Sequence, residues 1–157
     1  MEKFYQNMLN QIHQSIFIEK TVLFICRFFP YITFCLYPCL LLYLFITKDS
    51  LLFVTFIKPL TAFLIVSIFR KIVNRKRPYE TMNIEPLLEH KQGESFPSRH
   101  TVSAFIIALV CLDINLYLAI FALIIAIFIS LSRILAGVHY ISDVIAAIVI
   151  ALIIFLL

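Results

Sequence analysis

Glycine is nearly missing from this chain, two in 157 residues, and charge is scarce, with Asp, Glu, Lys and Arg at 14%. Soluble domains carry about 25% charged and 45–50% apolar residues. At 62% hydrophobic and a mean hydropathy of +1.01, this chain is not a soluble domain. Little glycine and 16 phenylalanines also exclude a disordered chain, which is too polar to bury its surface. Cysteine is sparse too. Cys26, Cys35, Cys39 and Cys111 all fall in apolar stretches and read as small buried hydrophobes rather than a disulfide framework or zinc site. Cys35 and Cys39 share a helix face and are the one conceivable metal pair. No internal repeat, low-complexity tail or cleavable signal peptide is visible. The start is polar to Gln14, and the apolar run after it is too long for a signal core.

What the chain has is long apolar runs. They cover residues 20–48, 51–74, 101–112, 116–134 and 140–157, with short polar turns or one longer loop between them. As a helix the first run exceeds the roughly 30 Å of membrane hydrocarbon, so it tilts or bends, with Pro30 and Pro38 as the expected kinks. Residues 1–19 differ. Phe4, Tyr5, Met8, Leu9, Ile12, Ile16 and Phe17 recur at helical spacing between Gln, Asn and His. That is the pattern of an amphipathic helix that lies in the membrane interface or packs on the domain. The expected fold is all-α: one integral membrane helical bundle over 1–157, with about five transmembrane helices and an N-terminal amphipathic helix. Arg27 is expected to snorkel to the near interface. Lys58 either does the same or serves a function within its span.

The remaining polar residues are clustered. Arg70, Asn74 and Arg77 are spaced i, i+4, i+7, one stripe of a helix that Pro78 should end. A polar loop over 79–96 carries Glu80, Glu85, Glu89 and Glu94, which balance the basic run; Glu85 and Glu89 are spaced to share a helix face. Ser98 then precedes an apolar helix as an N-cap, with Arg99 and His100 beside the exposed N–H groups that favour anions. Arg133 ends the fourth run, and His139 and Asp143 open the fifth. Four apart, those two meet on one helix face, where the carboxylate fixes the imidazole tautomer. Runs two to five alternate in direction, so all these clusters share one membrane face. A nucleophile, its orienting acid and several cations point to phosphate chemistry. A basic run that continues an apolar span argues against nucleic acid as the partner, and the density of Arg disfavours a divalent metal.

Together the clusters resemble the signature of the type 2 phosphatidic acid phosphatase superfamily, related to vanadium-dependent haloperoxidases. That signature reads Lys, a six-residue gap and Arg-Pro; then Pro-Ser-Gly-His; then Ser-Arg, a five-residue gap, His, a three-residue gap and Asp. The third motif is complete here as Ser132, Arg133, His139 and Asp143. The second is Pro97-Ser98-Arg99-His100, with Arg in the place of Gly. The first has Arg77-Pro78, with Arg70 at the Lys position and Lys71 beside it. The resemblance covers residues 70–143 and implies a metal-independent membrane lipid phosphatase with no cofactor. It implies that His139 attacks phosphorus to give a phosphohistidine, and that Asp143 holds its imidazole. His100 protonates the leaving oxygen and then activates water. Arg70 or Lys71, Arg77, Ser98 and Arg133 bind the phosphoryl group; Arg99 binds a second phosphate or points outward.

The implied partners are a lipid phosphate and the surrounding membrane lipids. Undecaprenyl diphosphate is the substrate expected, with phosphatidylglycerol phosphate or phosphatidate as alternatives. The rival from another class is a non-catalytic phospholipid-binding or transport protein with the same basic pocket. The expected location is a bacterial plasma membrane with the active site outside, although the Lys and Arg count alone would place that face in the cytoplasm.

Overall fold

The computed structural model describes residues 1–88 and 91–157. Its helices are α1 (Glu2–Gln14), α2 (Ile16–Ile46), α3 (Leu52–Val73), α4 (Pro78–Thr81), α5 (Arg99–Leu112), α6 (Leu116–Leu135) and α7 (Ile141–Leu156), with no strand among the described residues. The all-α membrane bundle expected from the sequence is the architecture found. Three helices, α2, α3 and α6, are long and apolar enough to cross a membrane, while α5 and α7 are shorter apolar helices. The expected Glu85–Glu89 helix face does not form at Glu85, which is not helical; Glu89 lies outside the described residues.

The short α5 is the axis of the bundle. Eight of its 14 residues are buried, and it packs on α6, α7, α3 and α2. A helix that is apolar all round belongs inside. Ala62 and Val66 of α3 and Ala147 and Ala151 of α7 meet Val102 and Ile106 of α5; such small side chains let helices approach closely. The outer faces stay apolar, with Phe24, Phe28 and Phe45 of α2 and Phe121 and Phe128 of α6 exposed. Cys35 and Cys39 are exposed on α2 as well, a correction to their reading as buried. In lipid, an apolar side chain need not be covered by protein.

The helix prolines do more than bend. A proline has no N–H, so the carbonyl four residues before it loses its helical donor. Pro30 thereby releases the carbonyl of Cys26, which accepts from Arg133 Nη2 of α6 at 2.7 Å. Pro59 releases the carbonyl of Thr55, which accepts from the Tyr37 hydroxyl of α2 at 3.2 Å. Pro30 and Pro59 thus each convert an intrahelical bond into an interhelical one. Lys58 donates to the Phe155 carbonyl and stands 4.9 Å from the Phe155 ring centre. It closes the C-terminal end of α7, where a cation is favoured.

Of the two readings of the N-terminal helix, packing on the domain is visible. Tyr5, Leu9 and Ile12 of α1 are buried. The Tyr5 hydroxyl donates to the His139 carbonyl at 3.2 Å, and Glu2 accepts from the Asn83 N–H at 3.1 Å. Leu9 lies against Gly137, whose φ of +72° and lack of Cβ allow both the turn and the contact.

Candidate active site

Local backbone chemistry sets the site before any side chain does. The helix carrying Arg70 stops at Val73, earlier than Pro78 alone would require. Asn74 takes a left-handed conformation, φ +40°, and its N–H returns to the Arg70 carbonyl at 3.0 Å. Asn is one of the few side chains that tolerate that cap. The expected stripe of Arg70, Asn74 and Arg77 is therefore broken. The Asn74 side chain instead accepts from the Glu94 N–H at 3.2 Å. Arg77 caps α4, which Pro78 opens. Glu80 accepts from the N–H of Arg77 at 2.7 Å and that of Gly93 at 2.8 Å, stapling the two ends of the polar loop.

Two helix starts face this loop. Ser98 caps α5 as expected, its Oγ accepting from Thr101 Oγ1 at 3.0 Å and Thr101 N at 3.5 Å. Its own N–H donates to the Asp143 carbonyl at 3.1 Å, tying α5 to α7. His139 is not in α7; the helix begins at Ile141 with Tyr140 as its cap. The pairing with Asp143 arises from capping and not from a shared helix face. At the third helical position, Asp143 Oδ2 accepts from the Tyr140 N–H at 2.9 Å and lies 3.3 Å from His139 Nδ1.

The structure adds two partners that the motif reading left out. Ser95 is fully buried, donates to Asp143 Oδ2 and lies 3.5 Å from His139 Nδ1. Arg75 Nη1 holds Asp143 Oδ1 at 2.7 Å and the Ser142 hydroxyl at 2.8 Å, with its guanidinium 3.9 Å from the Tyr140 ring centre. The signal for Arg75 was present in the basic run, but nothing in the spacing separates it from Lys71 or Lys76.

Three buried guanidiniums lie at this end of the bundle; the charges of Arg70 and Arg77 reach His139, and that of Arg133 reaches Arg77. Arg70 donates to the Pro97 carbonyl at 3.1 Å. Arg77 donates to the carbonyls of Lys91, Gly93 and Val138, each at 3.1 Å. Arg133 takes the Cys26 carbonyl described above. These acceptors are neutral, so they orient the cations without cancelling them. Arg70 also pairs with Glu94 at 3.9 Å, which offsets part of its charge. Arg70 Nε and Arg133 Nε are buried with no hydrogen-bond partner among the described residues. Buried N–H groups without acceptors are rare in folded proteins. Lys71, the alternative to Arg70, is exposed. Arg99 is exposed and His100 half-buried, and both line a cavity beside the cluster.

Burial, with the charges of Arg77 and Arg70, pushes the His139 imidazole down to about 4 despite the opposing pull of Asp143. His139 is thus neutral at pH 7, with Nδ1 engaged and Nε2 as the nitrogen able to attack. Burial lowers the Arg77 guanidinium below its usual range and raises the Tyr5 phenol to about 12, so Tyr5 stays a neutral donor.

Known proteins resemble this chain in sequence and, separately, in fold. A family model described as the PAP2 superfamily matches residues 41–157. The chain is 33% identical over 105 residues to the bacitracin transport permease protein BcrC of Bacillus licheniformis, covering 64% of this chain and 50% of that protein. It is 36% identical over 90 residues to the lipid A 1-phosphatase of Rhizobium johnstonii, covering 53% of this chain and 36% of that one. The chain thus spans half or less of the length of these curated relatives. Among solved structures, Aquifex aeolicus LpxE superposes with a TM-score of 0.71 at 25% identity, over 98% of this chain and 91% of that one. The transmembrane PAP2-type phosphatidylglycerolphosphate phosphatase of Bacillus subtilis gives 0.62 at 19% identity, over 98% and 89%, a likeness of fold.

Proposed function

The chain belongs to the PAP2 superfamily, and from that membership we propose that it hydrolyses a lipid phosphate through a phosphohistidine, without a metal. The observation that carries the reading is the neutral, buried His139, oriented through Nδ1 by Asp143, with the buried guanidiniums of Arg70 and Arg77 acting on it and Arg133 beside Arg77. In the proposed reaction, Arg70, Arg77 and Arg133 hold the phosphoryl oxygens and stabilise the charge that spreads over them in the transition state. Ser98 and the N–H groups at the start of α5 add donors.

His139 Nε2 then forms a bond to phosphorus as the bond to the leaving oxygen breaks, and His100 gives that oxygen its proton. Asp143 stabilises the cationic phosphoimidazole. Water, activated by His100, displaces the histidine and releases inorganic phosphate. The substrate is an amphiphile: the cluster sits at one rim of the bundle, where a lipid tail stays in hydrocarbon while its phosphate enters. We propose a bacterial plasma membrane with this rim facing outside.

Phosphate release from lipid phosphates in EDTA tests the reading. The full chain should release phosphate, and His139→Ala should abolish release, by at least about 10⁴-fold, while lipid still binds. Release that needs added metal, or survives the substitution, rejects the mechanism. The name of the BcrC relative, a transport permease, favours one second reading, a carrier that binds a phospholipid without chemistry. Binding without release in the unaltered chain would support that carrier.

A further inference from the structure

An apolar cavity of about 320 Å³ opens between α2, α3 and α5, running from Arg99 and His100 down α5 to Ile107. Phe34, Phe63 and Ser103 line it, and a second cavity of about 300 Å³ shares those three and continues along α3 to Pro59. Phe34 and Phe63 are exposed on the membrane-facing side, so the slot is reachable from lipid. At its polar end the Arg99 guanidinium lies 5.9 Å from the Phe63 ring centre. Among the described residues, the ion pairs of this rim go to Arg70, Arg75, Lys91 and His139, not to Arg99. Arg99 and Arg70 stand close enough for their charges to repel, and an anion between them would relieve that repulsion.

We propose that Arg99 is a specificity-determining residue that receives a second anionic group, the chain-bearing phosphate of a lipid diphosphate, while the chain lies in the slot. This rests on the phosphatase reading above. The order of groups along the site matches the order of groups along such a lipid: slot, then Arg99 with His100, then Arg70, Arg77 and Arg133. His139 Nε2 forms its bond to the terminal phosphorus, and the bond from that phosphorus to the bridging oxygen breaks. The bridging oxygen leaves with the electron pair and the chain-bearing phosphate, and takes its proton from His100. Negative charge grows on the departing phosphate as this happens, and a guanidinium beside it stabilises that growth. A lipid monophosphate has no second phosphate for Arg99 to hold.

The test is binding of two non-hydrolysable ligands of equal chain length, a prenyl methylenediphosphonate and a prenyl phosphonate, to the full chain in detergent. The unaltered chain should prefer the diphosphonate, and Arg99→Gln should lower that preference about tenfold, as expected for one charge-assisted contact. Ser103→Leu, which fills the slot, should weaken long-chain ligands more than short-chain ones. An unchanged preference in Arg99→Gln, or chain-length independence in Ser103→Leu, overturns the proposal. Because the readout is binding, absent phosphate release would reject the phosphatase reading alone. Release with an unchanged preference would reject this inference alone.

Discussion

The two ends of the bundle differ in the charge they bury. At the end without the site, polar side chains complete the backbone. Asp49 accepts from the Leu51 N–H at 2.9 Å, Asn115 caps α6 by accepting from Leu118 N at 3.0 Å, and Lys58 closes α7. At the site end polar side chains cap helices too, Ser98 for α5 and Asp143 for α7, but backbone carbonyls of Pro97, Lys91, Gly93, Val138 and Cys26 also hold buried guanidiniums. Burying such charge is expensive unless something compensates it. Among the described residues, buried guanidiniums gather at this end alone, the end at which the proposed reading puts its anionic ligand.

Arg133 is the sharpest place to break this comparison. Arg133→Ala should lower turnover about 10²–10³-fold, the usual loss for one transition-state donor. It should also destabilise by about 1–3 kcal/mol, because the Cys26 carbonyl, already without its helical donor, is left with none. Adding Pro30→Ala returns an N–H four residues on. The double variant should recover the stability in a thermal melt but not the turnover. Recovery of both would make Arg133 a structural residue like Lys58.

A smaller effect concerns pH. With His139 held at about 4, attack requires no deprotonation until pH falls near that value, so turnover should persist to about pH 5. Arg75 neutralises Oδ1 of the same carboxylate that His139 meets through Oδ2. Arg75→Gln frees more negative charge to face the imidazole, against Arg77 and Arg70, and should raise the acid limb of the rate profile by up to about one unit. Arg75→Lys should leave that limb in place; a general loss of activity with no shift would assign Arg75 to packing alone. The depressed His139 pKa also has a stability consequence. Between its unfolded value of about 6.5 and its folded value the unfolded chain takes up a proton that the folded chain refuses, so stability falls as pH drops through that window. Melting temperature in detergent should decline there, and His139→Gln should reduce the slope.

The smallest change is expected at the far end. Lys58→Met removes a cation from a span, yet should keep turnover within about two-fold and lower stability by about 0.3–1 kcal/mol, the scale of a charge at a helix terminus. A large activity loss would mean that the two ends are coupled, and the comparison would fail.

Much of the site was legible because it is written in short motifs. His139 with Asp143, the Ser98 cap and Arg77-Pro78 all act within a few residues of themselves. The errors came where a helix end had to be placed. The Arg70–Asn74–Arg77 stripe presumes a helix that Asn74 terminates, and the His139–Asp143 face presumes a helix that has not yet begun. Capping and loop geometry, not a shared helix face, bring His139 to Asp143. Ser95 and Arg75 were passed over because their partner, Asp143, is distant in sequence and their own neighbourhoods look like ordinary loop and basic run.

The class of fold, the family and the end at which the candidate residues gather could be read from the chain's order alone. Hydrophobic runs and motif order are properties of neighbouring residues, and alternating helices carry them to one side. Only the tertiary structure decided that Arg70 and not Lys71 turns inward. It also decided that Arg75 shares the carboxylate of the histidine and that Arg133 is held by a carbonyl released by Pro30. Those outcomes depend on contacts between residues 27, 68 and 107 apart in sequence, and no local pattern records which distant partner a given side chain will meet.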